Sequence, residues 1–289
     1  MAEFTSLSEA IESLVGDGST VAMEGFTHLI PFAAGHEVIR QGKRDLTLVR
    51  MTPDVIYDQM IGMGCARKLI FSWGGNPGVG SLHRLRDAVE NGRPAPLELE
   101  EHSHAGMAAR YTAGAAGLPL GVLRGYQGTD LAGQTRVAVI ECPFTGEQLT
   151  AVPAMKPDVA VIHAQQADRQ GNVGIWGITG VQREVALAAK SVVVTVEEIV
   201  DTLDTTGPNH AILPSWTITA IALASRGSHP SYSMGYTVRD NHFYTRWDAI
   251  SRDRELFASW MDEFVLSRDF QGYLSALDDG SILKMLGDE

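Results

Sequence analysis

Residues 46–73 read LTLVRMTPDVIYDQMIGMGCARKLIFSW, and this stretch decides the fold. Leu46–Met51 (LTLVRM) is a short apolar run of strand length. Asp54–Met63 has helical spacing, with Asp54 in position to cap its first turn. Lys68–Trp73 (KLIFSW) is a second apolar run. Two buried-type strands joined by a helix make a parallel crossover unit. The flanks continue the alternation. Upstream come a helix over Leu7–Val15, a strand over Val21–Met23 and a helix over Gly35–Gln41. Downstream come a glycine loop at Gly74–Ser81, a helix over Leu82–Glu90, a strand over Leu97–Glu101 and a helix over Ala105–Ala116.

The second half is less regular. Arg136–Ile140 and Gln148–Val152 have the spacing of a hairpin. Val159–Ala164 (VAVIHA) and Ser191–Val196 (SVVVTV) are continuous apolar runs flanking a helix over Val181–Ala189. Trp216–Ala224 suits either a strand or a helix. Arg254–Val265 and Phe270–Leu277 read as a helical pair. The expected architecture is therefore α/β: an open, mostly parallel sheet flanked by helices. It is expected to form one domain over 1–289, with a C-terminal helical extension from about 250 to 289.

Composition narrows the function. The chain has 289 residues, 44% of them hydrophobic and 20% charged, with 23 Lys+Arg against 35 Asp+Glu and a net charge of −12. That balance disfavours a nucleic-acid partner, which requires a basic face. Apolar runs stay well short of a membrane helix, so no membrane partner is expected. Two cysteines, Cys65 and Cys142, allow no metal-binding CxxC and suit a reducing cytoplasm. Met1 to Val15 carries Glu3, Glu9 and Glu12 and no basic region, unlike a signal peptide.

Ligands of such sheets bind beyond the carboxyl ends of the strands. The candidate segments are Glu24–His28, Ser72–Ser81, Glu100–His104 and Ala164–Asn172. In Ser72–Ser81 (SWGGNPGVGS), glycines let backbone N–H groups converge on an oxygen-rich ligand, and Ser81 is placed to cap the next helix. No Lys-Ser/Thr pair makes it a P-loop, and a dinucleotide fingerprint through Gly78 and Gly80 would put His83 at the third glycine. A tight strand-to-helix turn remains one reading; a carboxylate- or thioester-binding loop is favoured. Glu100-Glu101-His102-Ser103-His104 has the groups for acid–base work, but strand alternation sends Glu101 away from Glu100 and His102. The alternative is a solvated strand end with Ser103 as a helix cap. Glu24 is either a nucleophile or a polar strand tip. No metal site is expected, His163 reads as a core or surface residue, and Trp247 and Trp260 read as packing anchors.

Taken in order, these segments resemble the A (alpha) subunit of the family I CoA-transferases, closest to the glutaconate CoA-transferase branch. Asp17-Gly18-Ser19-Thr20-Val21-Ala22-Met23-Glu24-Gly25-Phe26 is similar to the family's N-terminal signature, with Glu24 in place of the first glycine of a pair. Gly74–Ser81 and Glu100–Pro119 resemble its substrate region, and Ala164–Asn172 (AQQADRQGN) its ADxxGN turn. His229-Pro230-Ser231-Tyr232 and Arg239–Tyr244 (RDNHFY) are also similar to the branch.

The resemblance implies the NagB/RpiA-like CoA-transferase fold. It implies transfer of CoA between an acyl-CoA and a carboxylic acid through a glutamyl-CoA thioester. The nucleophilic glutamate is implied on a partner B subunit, in an αβ or α2β2 assembly, because this chain lacks a Ser-Glu-Asn-Gly motif. Coenzyme A thioester is the implied substrate, and no tightly bound cofactor is expected. Ser72 and Ser81 are implied to bind a carboxylate, with Gly25, Phe26, Gly74, Gly75, Asn76, Gly78, Gly80, His102, His104 and Gln165 shaping the substrate site. Relatives on the same scaffold are similar to CoA-thioester hydrolases, C–C lyases or decarboxylases, with a carboxylate near Glu101–Gly106 activating water. In that case Glu101, Glu100 or Glu24 is an auxiliary catalytic group. A non-catalytic acyl-CoA-binding module is the reading from another class. CoA is an anion and this chain is acidic, so its phosphates fall to the partner or to a local Arg84, Arg86 or Arg110.

Overall fold

The structure is a computed structural model, and it describes residues 2–282 apart from 205 and 208. The strands are β1 (Glu3–Phe4), β2 (Thr20–Glu24), β3 (Leu46–Val49), β4 (Ala66–Phe71), β5 (Glu98–Glu101), β6 (Leu120–Leu123), β7 (Ala138–Glu141), β8 (Gln148–Pro153), β9 (Val159–Asp168), β10 (Val173–Ile175), β11 (Ser191–Val200), β12 (Ala211–Leu213) and β13 (Ala220–Leu223). The helices are α1 (Leu7–Leu14), α2 (Phe32–Arg40), α3 (Val55–Gly62), α4 (His83–Asn91), α5 (His104–Ala115), α6 (Leu131–Gln134), α7 (Gln182–Ala188), α8 (Asn241–Arg252), α9 (Arg254–Met261) and α10 (Phe270–Asp278).

The main sheet runs β1-β13-β11-β9-β2-β3-β4-β5, parallel along that path. The expected mostly parallel α/β sheet is what forms. Chain order steps outward from β2 through β3 and β4 to β5. From β9 it steps the other way through β11 to β13. The reversal lies between β2 and β9, which pair directly, Glu24 standing opposite Ile162. A crevice outside the carboxyl ends at such a reversal is the default ligand site. β10 pairs antiparallel with the carboxyl-terminal part of β9, and β12 pairs antiparallel with β10. The expected hairpin forms as β7 against β8, and β6 joins it in a separate three-stranded antiparallel sheet.

Burial explains why the strand runs lack alternation. Val161 and Val193 point into one core cluster with α1, α2 and α3, while Ile162 and Val194 point into the other with α5 and α7. Both faces are covered, so successive residues are all apolar. Asp54 caps α3 by accepting from Ile56 N–H, as expected, and Ser6 forms a capping box with Glu9 on α1.

Two expectations need correction, and one left open resolves in favour of a strand. Ser81 does not cap α4: Leu82 holds the N-cap position and makes no side-chain bond. Trp216–Ala224 resolves into a short 3-10 turn at Ser215–Thr217 followed by strand β13. The C-terminal helical region begins at Asn241, not near 250, because α8 precedes the expected pair. Its Trp247 packs edge-on against Trp260, ring centres 5.0 Å apart, and both are buried in the cluster with α2 and α3. These tryptophans are anchors, as read. Residues 283–289 of the expected extension lie outside the described residues.

Candidate active site

Glu24 ends β2 at the sheet reversal and is buried. Its Oε1 accepts from Met51 N–H at 3.0 Å and from Tyr111 Oη at 2.7 Å. Burial pushes its pKa up to about 7, against the Arg50 charge and these hydrogen bonds. The chain then turns sharply. A Cβ on Gly25 would sit 2.6 Å from the Leu29 carbonyl oxygen, so glycine alone fits there. Thr27 and Leu29 both take left-handed backbone angles, φ 58 and 55. Such angles concentrate strain at functional loops. The turn is bolted from outside: Arg50 donates to the Gly25 carbonyl at 2.8 Å while paired with Asp54 at 2.9 Å. The result leaves Phe26 42% exposed on the rim.

The glycine loop after β4 faces this turn across β3. Ser72 donates its hydroxyl to the Met51 carbonyl at 2.6 Å, and Met51 N–H in turn donates to Glu24. Ser72 and Glu24 are thereby coupled through one residue. The loop spends most of its backbone donors on itself. The N–H of Gly75 goes to Pro53, that of Asn76 to Gly80, those of Val79 and Gly80 to the Asn76 carbonyl, and that of Gly78 to Asn76 Oδ1. Among the described residues, Gly74 and Ser81 keep loop N–H groups without such a bond, and the Ser81 hydroxyl is likewise unbonded. The expected convergence of many donors is thus reduced to the two ends of the loop. Asn76 is a fastener, donating to the Tyr244 carbonyl on α8 at 2.8 Å. Trp73 and Val79 stand exposed beside the loop.

The Glu100–His104 cluster divides as strand alternation predicts. Glu100 is buried and meets Lys68 Nζ at 2.8 Å, Arg110 Nη1 at 2.8 Å and His102 Nε2 at 3.0 Å. Burial raises its pKa, but bonds from His102 and Lys68 and the Arg110 charge outweigh this and hold it well below the carboxylate range. Tyr126 Oη accepts from Ser103 N–H at 3.1 Å and is hydrogen-bonded to His102 Nδ1 at 3.0 Å. His102 Nε2 lies 3.0 Å from Glu100 Oε1 and 2.6 Å from Arg110 Nη1. Burial pushes the His102 pKa down, which keeps the ring neutral. Ser103 caps α5 through Gly106 N–H at 3.0 Å, the plainer of its two readings. Glu101 and His104 are exposed.

Helix α5 joins the two clusters, since neighbouring Arg110 and Tyr111 reach Glu100 and Glu24 respectively. Gln165 meets the turn after Glu24 at His28, Nε2 to Nε2 3.5 Å. Its amide is held by the Trp176 backbone, with the carbonyl of Trp176 at 2.9 Å and its N–H at 3.2 Å, so it clamps β9 to β10. His163 is a core residue bonded to Thr195 and Glu197. The three arginines considered for CoA phosphates are all committed: Arg84 to Asp87, Arg86 to Glu90 and Arg110 to Glu100. Tyr111 and Arg50 were not singled out from sequence. Among the described residues no cluster of ligating groups suits a metal ion, and no helix is long and apolar enough to cross a membrane.

A buried carboxyl, a serine-bearing glycine loop and exposed aromatic side chains thus stand together at the carboxyl ends of the strands, beside the sheet reversal. The chain belongs to the coenzyme A transferase family, whose sequence profile matches residues 4–224. It is 61% identical to the A subunit of 3-oxoadipate CoA-transferase from Pseudomonas knackmussii, over 97% of this chain and 100% of that one. The crystal structure of glutaconate coenzyme A-transferase from Acidaminococcus fermentans superimposes with a TM-score of 0.89 at 32% identity, covering 98% of this chain and 94% of that chain. A cysteine-to-serine variant of the decarboxylase AibA/AibB matches at TM-score 0.77 and 30% identity, covering 90% and 98%. The similarity runs the full length of A subunits of this family.

Proposed function

We propose that this subunit works in exchange of CoA between an acyl-CoA and a small 3-oxo dicarboxylic acid. The observation that carries this reading is the 61% identity, end to end, to the A subunit of the 3-oxoadipate enzyme. The thioester carbonyl is attacked by a glutamate carboxylate of the partner B subunit, which expels CoA thiolate and forms a mixed anhydride. The thiolate then attacks the glutamyl carbonyl, releasing the acid and leaving glutamyl-CoA. The second acid reverses the two steps. Thioester and carboxylates supply every atom, so the reaction needs no tightly bound cofactor.

This chain supplies the wall against which the acyl group lies. Ser81 hydroxyl and the unbonded N–H groups at Gly74 and Ser81 are donors for the acid's carboxylate. Phe26 and Trp73 cover its carbon chain. The partner brings the nucleophile and the basic residues for CoA, because the arginines Arg84, Arg86 and Arg110 are already paired here. An αβ or α2β2 assembly in the cytoplasm fits this division of labour.

The decarboxylase relative supports a second reading, hydrolysis or C–C cleavage with a carboxylate on this chain as base. Glu100 is poorly suited to it, being locked between three donors, whereas Glu24, with its pKa near 7, is the better placed group.

The test is to co-express the chain with its neighbouring-gene partner and offer 3-oxoadipate with a panel of acyl-CoAs. CoA exchange that needs both chains and an acceptor acid is expected. Borohydride added after acyl-CoA should inactivate the complex by reducing the partner's glutamyl thioester. Free CoA released without an acceptor overturns the transferase reading in favour of hydrolysis.

A further inference from the structure

Arg50 directly follows β3 and is 1% exposed. Its counter-charge is Asp54, four residues on and also buried. A guanidinium that serves only to match a carboxylate takes it with both arms of its fork. Arg50 does not. Its Nη1 donates to Asp54 Oδ1 at 2.9 Å. Its Nη2 stands 3.5 Å from Asp54 Oδ2, a weak contact, and donates to the Gly25 carbonyl at 2.8 Å. Its Nε is buried without a hydrogen-bond partner. The group gives up part of its ion pair, and leaves one donor unmet, to reach the turn after β2.

The later part of that turn is gripped from the 231–234 segment. Ser231 donates its hydroxyl to the Thr27 carbonyl, Leu29 N–H donates to the Tyr232 carbonyl, and Met234 N–H donates to His28 Nε2, each at 2.9 Å. Phe26 lies between these grips and the one Arg50 makes on Gly25. A Cβ on Gly180 would stand 3.2 Å from Phe26 Cβ, so the backbone after β10 closes against this residue. The place of Phe26 therefore depends on where the Gly25 carbonyl is held. Asp54 also caps α3, so Arg50 ties the turn to the start of a helix and not to another loop.

We propose that Arg50 is a positioning residue for the acid site: by holding the Gly25 carbonyl it sets where Phe26 stands, and so which length of carbon chain the site accepts. Phe26 touches the acid and Arg50 does not. The contact of Phe26 with the acid rests on the exchange reading above; the grip of Arg50 on the turn does not. Lysine would keep the charge but has no fork, so it serves either Asp54 or the Gly25 carbonyl. A shift of about 1 Å in a binding wall is enough to change rates strongly.

The two-chain complex is assayed with 3-oxoadipate and with 3-oxoglutarate, one methylene shorter. The ratio of their kcat/KM values does not depend on the fraction of enzyme that is folded, so a merely structural defect leaves it unmoved. The unaltered complex is expected to favour 3-oxoadipate by about tenfold or more, the usual worth of one methylene. Arg50→Lys and Phe26→Ala should each cut this ratio by at least about threefold, and the double variant should cut it no further. If Arg50→Lys does not assemble, Arg50→Met with Asp54→Asn removes both charges, keeps an oxygen to cap α3, and is read the same way. Hydrogen exchange reads the positioning without turnover: the amides of 26–29 should exchange faster in the Arg50 variant, while those of β9 do not. No preference in the unaltered complex, a ratio unmoved by the Arg50 variant, losses that multiply in the double variant, or unchanged exchange in the turn overturns the proposal. No CoA exchange with either acid, with the turn still loosened in the variant, sinks the transferase reading and leaves the Arg50 grip standing.

Discussion

Tyr111 Oη donates to Glu24 Oε1 across 2.7 Å, tying helix α5 to the tip of strand β2 at the sheet reversal. The pair sets a pH signature. The unfolded chain loses the Glu24 proton near 4.5, while burial holds it to about 7 in the fold. Folded protein therefore binds more protons between these values. The contribution to stability is full below 4.5 and is lost as pH rises through 7, on the order of 3 kcal/mol. Glu24→Gln should flatten this slope in urea unfolding measured from pH 5 to 8. Asp58, which burial pushes up to about 6, leaves a residual slope in the variant. Parallel stability curves for the two proteins would show that Glu24 ionises normally.

Ser81 offers a cleaner kinetic test, because among the described residues its hydroxyl makes no hydrogen bond, and it does not cap α4. Ser81→Ala should leave the melting temperature unchanged. It should raise KM for the acceptor acid by about tenfold or more, the loss of roughly one hydrogen bond to a charged group, with kcat nearly constant. An unchanged KM for the acid removes Ser81 from the site.

The parallel sheet was legible because strands covered on both faces are continuous apolar runs, as in 159–164 and 191–196. The split of Glu100 and Glu101 was legible because a strand alternates. Helix α8 was readable but overlooked: Asp240 precedes Phe243, Tyr244, Trp247 and Ile250, a capped helical stripe. Other features had no local signal. Glu24 meets Tyr111 across 87 positions, and nothing near either residue announces the other. The glycine loop suggested free donors, yet turn and tertiary bonds that composition does not encode consume most of them, Asn76 alone taking those of Gly78, Val79 and Gly80.

Glu100 and Glu101 should separate sharply on substitution. Glu100→Gln removes the charge that matches Arg110 and Lys68 in a buried site, so a loss of about 3–5 kcal/mol in chemical denaturation is expected. Glu101→Gln, on the exposed side of the same strand, should change stability by less than about 0.5 kcal/mol. A large loss of turnover in Glu101→Gln without loss of stability would instead revive a water-activating role for this strand end.

Gly106 lies one turn into α5, where a Cβ would fall 1.7 Å from Tyr126 Oη. That hydroxyl also receives the Ser103 N–H and is hydrogen-bonded to His102, so it has little freedom to retreat. Gly106→Ala would ordinarily favour a helix by up to about 1 kcal/mol. Here it should destabilise by about 2 kcal/mol or more, the size expected for overpacking a filled site. Tyr126→Ala alone should also destabilise, by stranding His102 and opening a void. Combined with Gly106→Ala it should cost less than the sum of the two, because the clash is gone. A double-mutant cycle on urea midpoints measures this coupling, with at least about 1 kcal/mol of favourable interaction expected. Additive losses would place the Gly106 effect in the backbone and not in its contact with Tyr126.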